Sequence, residues 1–396
     1  MRIVFITPVV PFIDGGTSAH IYHLMLERDK DIIIDIYTFN NNNRTTAEIE
    51  NVEKELNVKF HLIKMPRWIR WMFKLRLHFI RVFLRYPIYY YLKVDKGTVR
   101  EINSIYPDGI WIYGEELASI TRQFPQFRRV HTLPDSEAMY FYRMLQQRFV
   151  TKDKISYWKN VLMYRKYVRM EKNYDNNSSV TYHLVGQADV DFIKNNNPGI
   201  DARFIRHPHY HVLNAQREIK FHQPKIRLLI AGRYDLYMKQ EADELNSQLV
   251  MHNEQLKEHY AMTFLGKGWE KHVEILRKVG YEVNLIKFAD NYQEELVKHD
   301  IQITPITVGT GTKGKVLDGI ANGLLVIGTR YALENIKVIN GESCLEYKNP
   351  EEVLDYLLDI VYHTKVYEKK AEAGRDAIFK YHNRRVVSNK LFSLFK

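Results

Sequence analysis

Residues 305–329, PITVGTGTKGKVLDGIANGLLVIGT, restrict the fold more than any other stretch of the chain. The run Ile301-Gln302-Ile303-Thr304 before them reads as a buried strand that stops at Pro305. Gly309, Gly311 and Gly314 follow with Lys313 and Lys315, then residues 316–321 with helical character, Gly323 as their stop, and a second apolar run at 324–327. Strand, glycine-rich turn, helix start and strand is the order that aims backbone N–H groups and a positive helix end at a phosphate. Two lysines in the turn add to the anion preference, so the stretch reads as a nucleotide-diphosphate site. An ordinary glycine-rich connection has the same appearance. Residues 309–314 also fit G-x-G-x-x-G, but that dinucleotide signature opens its unit and needs an acid after the next strand, which here ends in Thr329-Arg330.

A chain of 396 residues is too long for one core and suits two domains. Its one cysteine, Cys344, excludes a disulfide framework and fits a reducing compartment. The start, Met1-Arg2-Ile3-Val4-Phe5-Ile6, enters a strand directly and lacks the pattern of a signal peptide. With no uninterrupted run of 18 apolar residues, a cytoplasmic location is expected. The net charge of +11 is uneven. Residues 64–86 carry Lys64, Arg67, Arg70, Lys74, Arg76, Arg81 and Arg85 without an acid, interleaved with Trp68, Trp71, Phe73, Phe79 and Phe83. Such a segment suits either an anionic membrane surface, as a peripheral attachment, or a solvated face on its own domain. No recognition module accompanies the charge, so nucleic acid is not expected as a partner.

Strands are expected at 2–8, 31–39, 59–63, 108–113, 128–132, 180–185 and 202–207, with helices between them and a long basic helical region over 137–175. A polar stretch at 211–224 reads as a linker. The alternation restarts with strands at 226–231, 261–265, 283–288, 301–304 and 324–327. The expected architecture is α/β: two tandem Rossmann-like domains, 1–210 and 225–380, with parallel sheets facing across a cleft. Residues 381–396 form a C-terminal helix that would pack back on the N-terminal domain. Ligands of such sheets sit at the carboxyl ends of the strands.

The loops at those ends hold the candidate residues. Gly15-Gly16 would bring backbone close to a ligand, or simply turn the chain. His131 comes near the end of a strand, either as a structural or as a catalytic histidine, and Asp135-Ser136 follows, open to an acceptor-side role or to capping the next helix. Arg233 and Lys239, six residues apart, suit a diphosphate facing the glycine turn. Asp318, one turn into the short helix, would accept from ribose hydroxyls or serve as a first-turn acid. Asp189-Val190-Asp191 matches D-x-D but opens a helix, and His207-Pro208-His209-Tyr210-His211 is one segment alone, so no metal site is expected.

These residues resemble a glycosyltransferase of the GT-B fold, of the family 4 kind. Gly232-Arg233 with Lys239 resembles the family's diphosphate cations, and Lys287-Phe288-Ala289-Asp290 its base-binding turn. The stretch from Gly309 through Thr310, Gly311, Thr312, Lys313, Gly314, Lys315 and Asp318 to Gly323 resembles its signature. Gly15-Gly16, Val130-His131-Thr132 and Asp135-Ser136 resemble the glycine loop, the histidine near the donor sugar and an acceptor-side acid. Thr310 stands where the family has the first of two glutamates, Asp318 where it has the second, and Leu325 where it has a proline. The resemblance implies metal-independent, retaining transfer of a sugar from a nucleoside-diphosphate sugar to a saccharide or lipid-linked acceptor, in cell-surface polysaccharide or glycoconjugate synthesis. No cofactor beyond the donor substrate is implied. A nucleotide-sugar epimerase of the same fold and a non-catalytic scaffold of a polysaccharide assembly are the alternatives.

Overall fold

The computed structural model describes residues 1–13, 15–77, 79–210 and 212–396, with Phe73 described by its backbone alone. The chain divides into two compact units, one of Met1–Pro208 with Arg384–Lys396 and one of His209–Asn383.

Seven parallel strands make the sheet of the first unit: β1 (Arg2–Thr7), β2 (Ile33–Thr38), β3 (Lys59–Leu62), β4 (Gly109–Tyr113), β5 (Arg128–Leu133), β6 (Val180–Leu184) and β7 (Ala202–Phe204). Their order is β3-β2-β1-β4-β5-β6-β7. Central strands such as β1, with Ile3-Val4-Phe5-Ile6, and β4, GIWIY, are buried along nearly their whole length because helices cover both faces of a parallel sheet. The register that sets Phe5 beside Trp111 stacks their rings with centroids 4.0 Å apart. The last helix, Arg384–Phe392, belongs to this unit and buries Leu391 and Phe392 in the same cluster as Trp111. Gly109 makes room for the tail, since a Cβ there would stand 2.5 Å from the Phe395 ring.

The second unit has six parallel strands: β8 (Ile226–Ala231), β9 (Tyr260–Leu265), β10 (Glu282–Ile286), β11 (Ile301–Thr304), β12 (Leu325–Thr329) and β13 (Leu345–Tyr347), ordered β10-β9-β8-β11-β12-β13. Both sheets therefore wind outward one way and then the other. The reversals fall between β1 and β4 and between β8 and β11, where ligands of this architecture bind beyond the carboxyl ends.

Several boundaries differ from the sequence reading. The first helix runs Gly16–Leu26, so Gly16 is its opening residue rather than part of a preceding loop. The basic region over 137–175 is three helices, Glu137–Leu145, Arg148–Lys152 and Lys154–Lys172. Asp153 restarts the last of them by accepting from the Ile155 N–H at 3.1 Å, the ordinary work of an N-cap. Residues 211–224, read as a linker, lie within the second unit, where Ile219 and Phe221 are buried in the core; His211 is outside the described residues. The strand read over 283–288 ends at Ile286, which leaves Lys287 and Phe288 in a loop. Among the described residues, no helix is long and apolar enough to cross a membrane.

The first unit depends on the C-terminal helix, which supplies part of its core. Phe392→Ala should destabilise that unit by about 3–5 kcal/mol, the usual result of emptying a buried aromatic site. Urea unfolding followed by probes in each unit would show the first unit's transition at lower denaturant and the second unit's unmoved; equal shifts in both would contradict this placement.

Candidate functional site

In the second unit the two loops at the winding reversal are hydrogen-bonded to each other. The Thr307 N–H, in the loop after β11, donates to the Tyr237 carbonyl, in the loop after β8, at 2.7 Å. The first loop starts at Gly232, whose N–H donates to Leu265 O at 2.8 Å and whose carbonyl accepts from the Trp269 indole at 2.8 Å. Gly232 has a φ of +127°, and a Cβ on it would lie 2.2 Å from the Lys315 ammonium. That position therefore has to be glycine for Lys315 to stay where it is.

The cations read from the sequence are in unlike situations. Arg233 is exposed, and its guanidinium makes no hydrogen bond or ion pair among the described residues. Lys239 opens the helix Lys239–Met251, and its ammonium is held by the Tyr234 hydroxyl at 2.8 Å and by Asp243 at 2.9 Å. The Tyr234 hydrogen bond, with Asp243 behind it, raises its pKa. Asp243 is itself shared with Tyr234 and His272. Lys313 turns back on its own loop and donates to Thr310 O. Lys315 is partly buried, and the acceptor nearest its ammonium is the Met238 thioether at 3.8 Å, a weak one. Burial lowers its pKa; Asp235 works in the opposite direction, and the neighbouring Lys313 reinforces the fall.

The glycine turn itself is short and shaped by its neighbours. Thr310 and Gly311 are buried, and the Gly311 carbonyl accepts from the Asn335 amide at 2.9 Å. Lys313 is the N-cap of the helix Gly314–Ala321, and its side chain makes no capping hydrogen bond. The Val316 and Leu317 N–H groups both donate to the Lys313 carbonyl at 3.0 Å, and the positive end of the helix lies at the turn that Gly311 through Gly314 form.

Asp318 lies on the buried side of the same helix. It accepts from the Tyr210 N–H, and burial pushes its carboxyl up to about 7. One carboxyl oxygen is buried with no partner among the described residues, and so is the hydroxyl of Tyr292, which senses the Asp318 charge. Tyr210, Tyr292, Met238 and Gly232 complete this end of the sheet. Of these Gly232 figured in the sequence reading through the family motif and Tyr210 only as part of the histidine segment 207–211; Met238 and Tyr292 come from other stretches of chain and carry no local pattern. Phe288 is exposed in the loop after β10, beside Lys287, which pairs with Glu270 at 2.9 Å.

The first unit holds the remaining candidates. Gly15 caps the helix Gly16–Leu26 with no side-chain bond, and a Cβ on either glycine would meet open space. His131 is the fourth residue of β5, near the strand's end as the sequence reading had it, and it is fully buried. Its Nε2 is 2.8 Å from Gly114 O, which can only accept, so the proton sits on Nε2 and Nδ1 is an acceptor with no partner among the described residues. Burial holds its pKa down at about 4, so the ring is neutral. Asp135 is part-buried in the loop after β5, and Ser136 caps the following helix by accepting from the Met139 N–H at 3.1 Å. Burial, with Asp135 adding to it, pushes Glu137 up to about 8. Asp189 of the D-x-D pattern is buried and accepts from the Ser136 N–H at 2.8 Å, while Asp191 accepts from Gln187.

No family model matches the chain, and no curated protein matches it by sequence. Solved structures do. HepE of Anabaena, in complex with UDP, aligns with a TM-score of 0.63 at 10% identity over 99% of both chains. WaaG, a glycosyltransferase involved in lipopolysaccharide biosynthesis, aligns with a TM-score of 0.60 at 12% identity over 99% of both. A glycosyltransferase from Rickettsia africae aligns with a TM-score of 0.62 at 11% identity, over 100% of this chain and 97% of its own. The chain has the GT-B fold that these proteins share.

Asp318 gives a direct pH test. Its folded pKa is raised, so between about pH 4 and pH 7 the unfolded chain holds fewer protons and stability falls as pH rises. The loss reaches about 4 kcal/mol by pH 8. Asp318→Asn keeps the acceptor for Tyr210 and removes the charge, so its gain in melting temperature over the parent should be larger at pH 8 than at pH 5. A difference independent of pH would contradict the buried carboxyl.

Proposed function

We propose that the protein is a glycosyltransferase of the family 4 kind, moving a sugar from a nucleoside-diphosphate sugar to a saccharide or lipid-linked acceptor. The observation that carries this reading is the meeting of the 232–239 and 305–315 loops at the carboxyl ends of β8 and β11, within a fold shared with a UDP complex. In this reading Arg233, Lys239, Lys315 and the N–H groups from Gly311 to Gly314 stabilise the departing diphosphate, with Lys313, Thr310 and Thr312 shaping the turn. Arg233 and Lys315, which have no carboxylate partner among the described residues, are the cations most ready for it. Asp318 holds the ribose and Phe288 covers the base. Gly15, Gly16 and His131 belong to the donor-sugar side in the first unit, and Asp135 to the acceptor side.

The transfer we favour retains configuration and uses no metal. The bond from the anomeric carbon to the diphosphate breaks, the acceptor oxygen attacks from the same face, and its proton passes to the leaving phosphate oxygen. Cell-surface polysaccharide or glycoconjugate synthesis is the setting, with the protein peripheral at the inner face of a membrane through residues 64–86. Thr310, in place of a glutamate, favours one second reading: a scaffold that binds a nucleotide and transfers nothing.

The test is calorimetry of UDP and GDP followed by turnover of their sugars. The wild type should bind one of them, and Arg233→Ala and Lys315→Ala should each weaken that binding about tenfold or more, the loss of a charge-assisted contact. A protein that binds neither nucleotide overturns the reading. Binding without turnover of any donor supports the scaffold, and conversion of a donor without acceptor identifies an epimerase.

A further inference from the structure

Two basic segments, remote in sequence, are joined in the first unit. In the first, the helix Arg67–Lys74 turns Ile69 and Met72 inward and leaves Trp68 and Trp71 exposed, Trp71 by 58%. Leu75, Phe79, Val82 and Phe83 follow, all exposed, Phe83 by 82%. Soluble surfaces carry single apolar residues freely, but a run of six among arginines and lysines needs a reason. The second segment is the helix Lys154–Lys172. It carries Lys154, Lys159, Arg165, Lys166, Arg169 and Lys172, and its one acid, Glu171, is buried. Near its start Ile155 is 82% exposed and Trp158 63%.

Lys166 ties the two together. Its side chain is buried, and its ammonium donates to the carbonyls of Arg81 and Val82, the latter at 3.1 Å, within the short helix Ile80–Phe83. A cation on the open carbonyls of a helix completes them as a cap would. Ile155, Trp158, Leu162 and Lys166 recur at helical spacing, so they share one stripe. The stripe runs about 16 Å from Ile155 to Lys166. It therefore leads from two exposed apolar residues straight to the segment that exposes Val82 and Phe83.

We propose that these two segments form one docking face for an anionic lipid bilayer. The Trp, Phe and Ile side chains enter the boundary between headgroups and acyl chains, and the Arg and Lys heads stay at lipid phosphates while their stems lie along the apolar surface. The mix of cations with large apolar groups favours a bilayer over nucleic acid, which would draw on the charge and leave Phe83 and Ile155 in water. The inference takes up the peripheral attachment in the proposed function and adds to it a second, obligatory half.

Co-sedimentation of the full chain with vesicles tests it. The wild type should pellet with phosphatidylcholine vesicles containing phosphatidylglycerol and stay in solution with phosphatidylcholine alone. Ile155→Ser/Trp158→Ser, with residues 64–86 intact, should cut the bound fraction about tenfold or more, as should Trp71→Ser/Phe83→Ser. These side chains are exposed, so melting temperatures should match the parent and exclude misfolding. A wild type that ignores anionic vesicles, an Ile155→Ser/Trp158→Ser variant that binds as the wild type does, or duplex RNA that displaces vesicles at matched salt would overturn the proposal. UDP and GDP titration of the same samples separates the two ideas: nucleotide binding with no vesicle binding sinks only the docking face, and the reverse sinks only the transferase.

Discussion

A parallel sheet covered on both faces has to reverse its winding somewhere, and that reversal is the constraint on which the rest of this molecule depends. Between β8 and β11 the strands are neighbours, but the connections that leave them depart to opposite sides. The gap that opens has no helix to fill it, so its floor is made of loop. Loop backbone at the edge of a core must still satisfy its polar groups. The Thr307 to Tyr237 hydrogen bond does this in part, and it also fixes the distance between the arginine-bearing loop and the glycine turn. A site assembled this way is a consequence of topology first and of side chains second.

That order explains what could be read in advance. The strand–turn–helix–strand pattern around residues 301–327 has a period and punctuation of its own, so the fold class was legible from residues alone. So were the loops at the strand ends, because their position follows from the alternation. Which side chains would be free within them was not legible. Lys239 lies four residues before Asp243 on one helix and pairs with it, and Tyr234 joins them from the loop before. Lys313 folds onto Thr310 O, a contact that depends on the turn's conformation. His131 lies within β5, as the strand read over 128–132 implied, and its register beside Ile112 and Tyr182 leaves it fully buried, which its own sequence does not reveal.

The first unit shows the same limit from the other side. A C-terminal helix packing back on the first domain was expected, but its partners were not: Gly109 is shaped around Phe395, and Trp111 packs edge-on against Phe392. Nothing local in either segment announces the other. The pairing of Lys166 with the carbonyls of residues 81 and 82 is of this kind too. Charge density was visible in both stretches, but only the three-dimensional arrangement makes them one surface.

The helix Gly314–Ala321 carries the sharpest departure from economy. Lys315 and Asp318 are three residues apart, the spacing at which opposite charges on a helix ordinarily neutralise each other. Here they diverge: the ammonium goes to the hollow left by Gly232 and the carboxylate to the Tyr210 N–H. Each then bears its own desolvation, and burial moves each toward its neutral form, the lysine down and the aspartate up. A stretch selected for stability alone would have let them pair. Keeping them apart leaves a cation in the first turn of the helix and a buried carboxyl one turn further on, two separate polar groups on one short helix. The strain of unneutralised charge is local, and it lies where the topology has already made an opening.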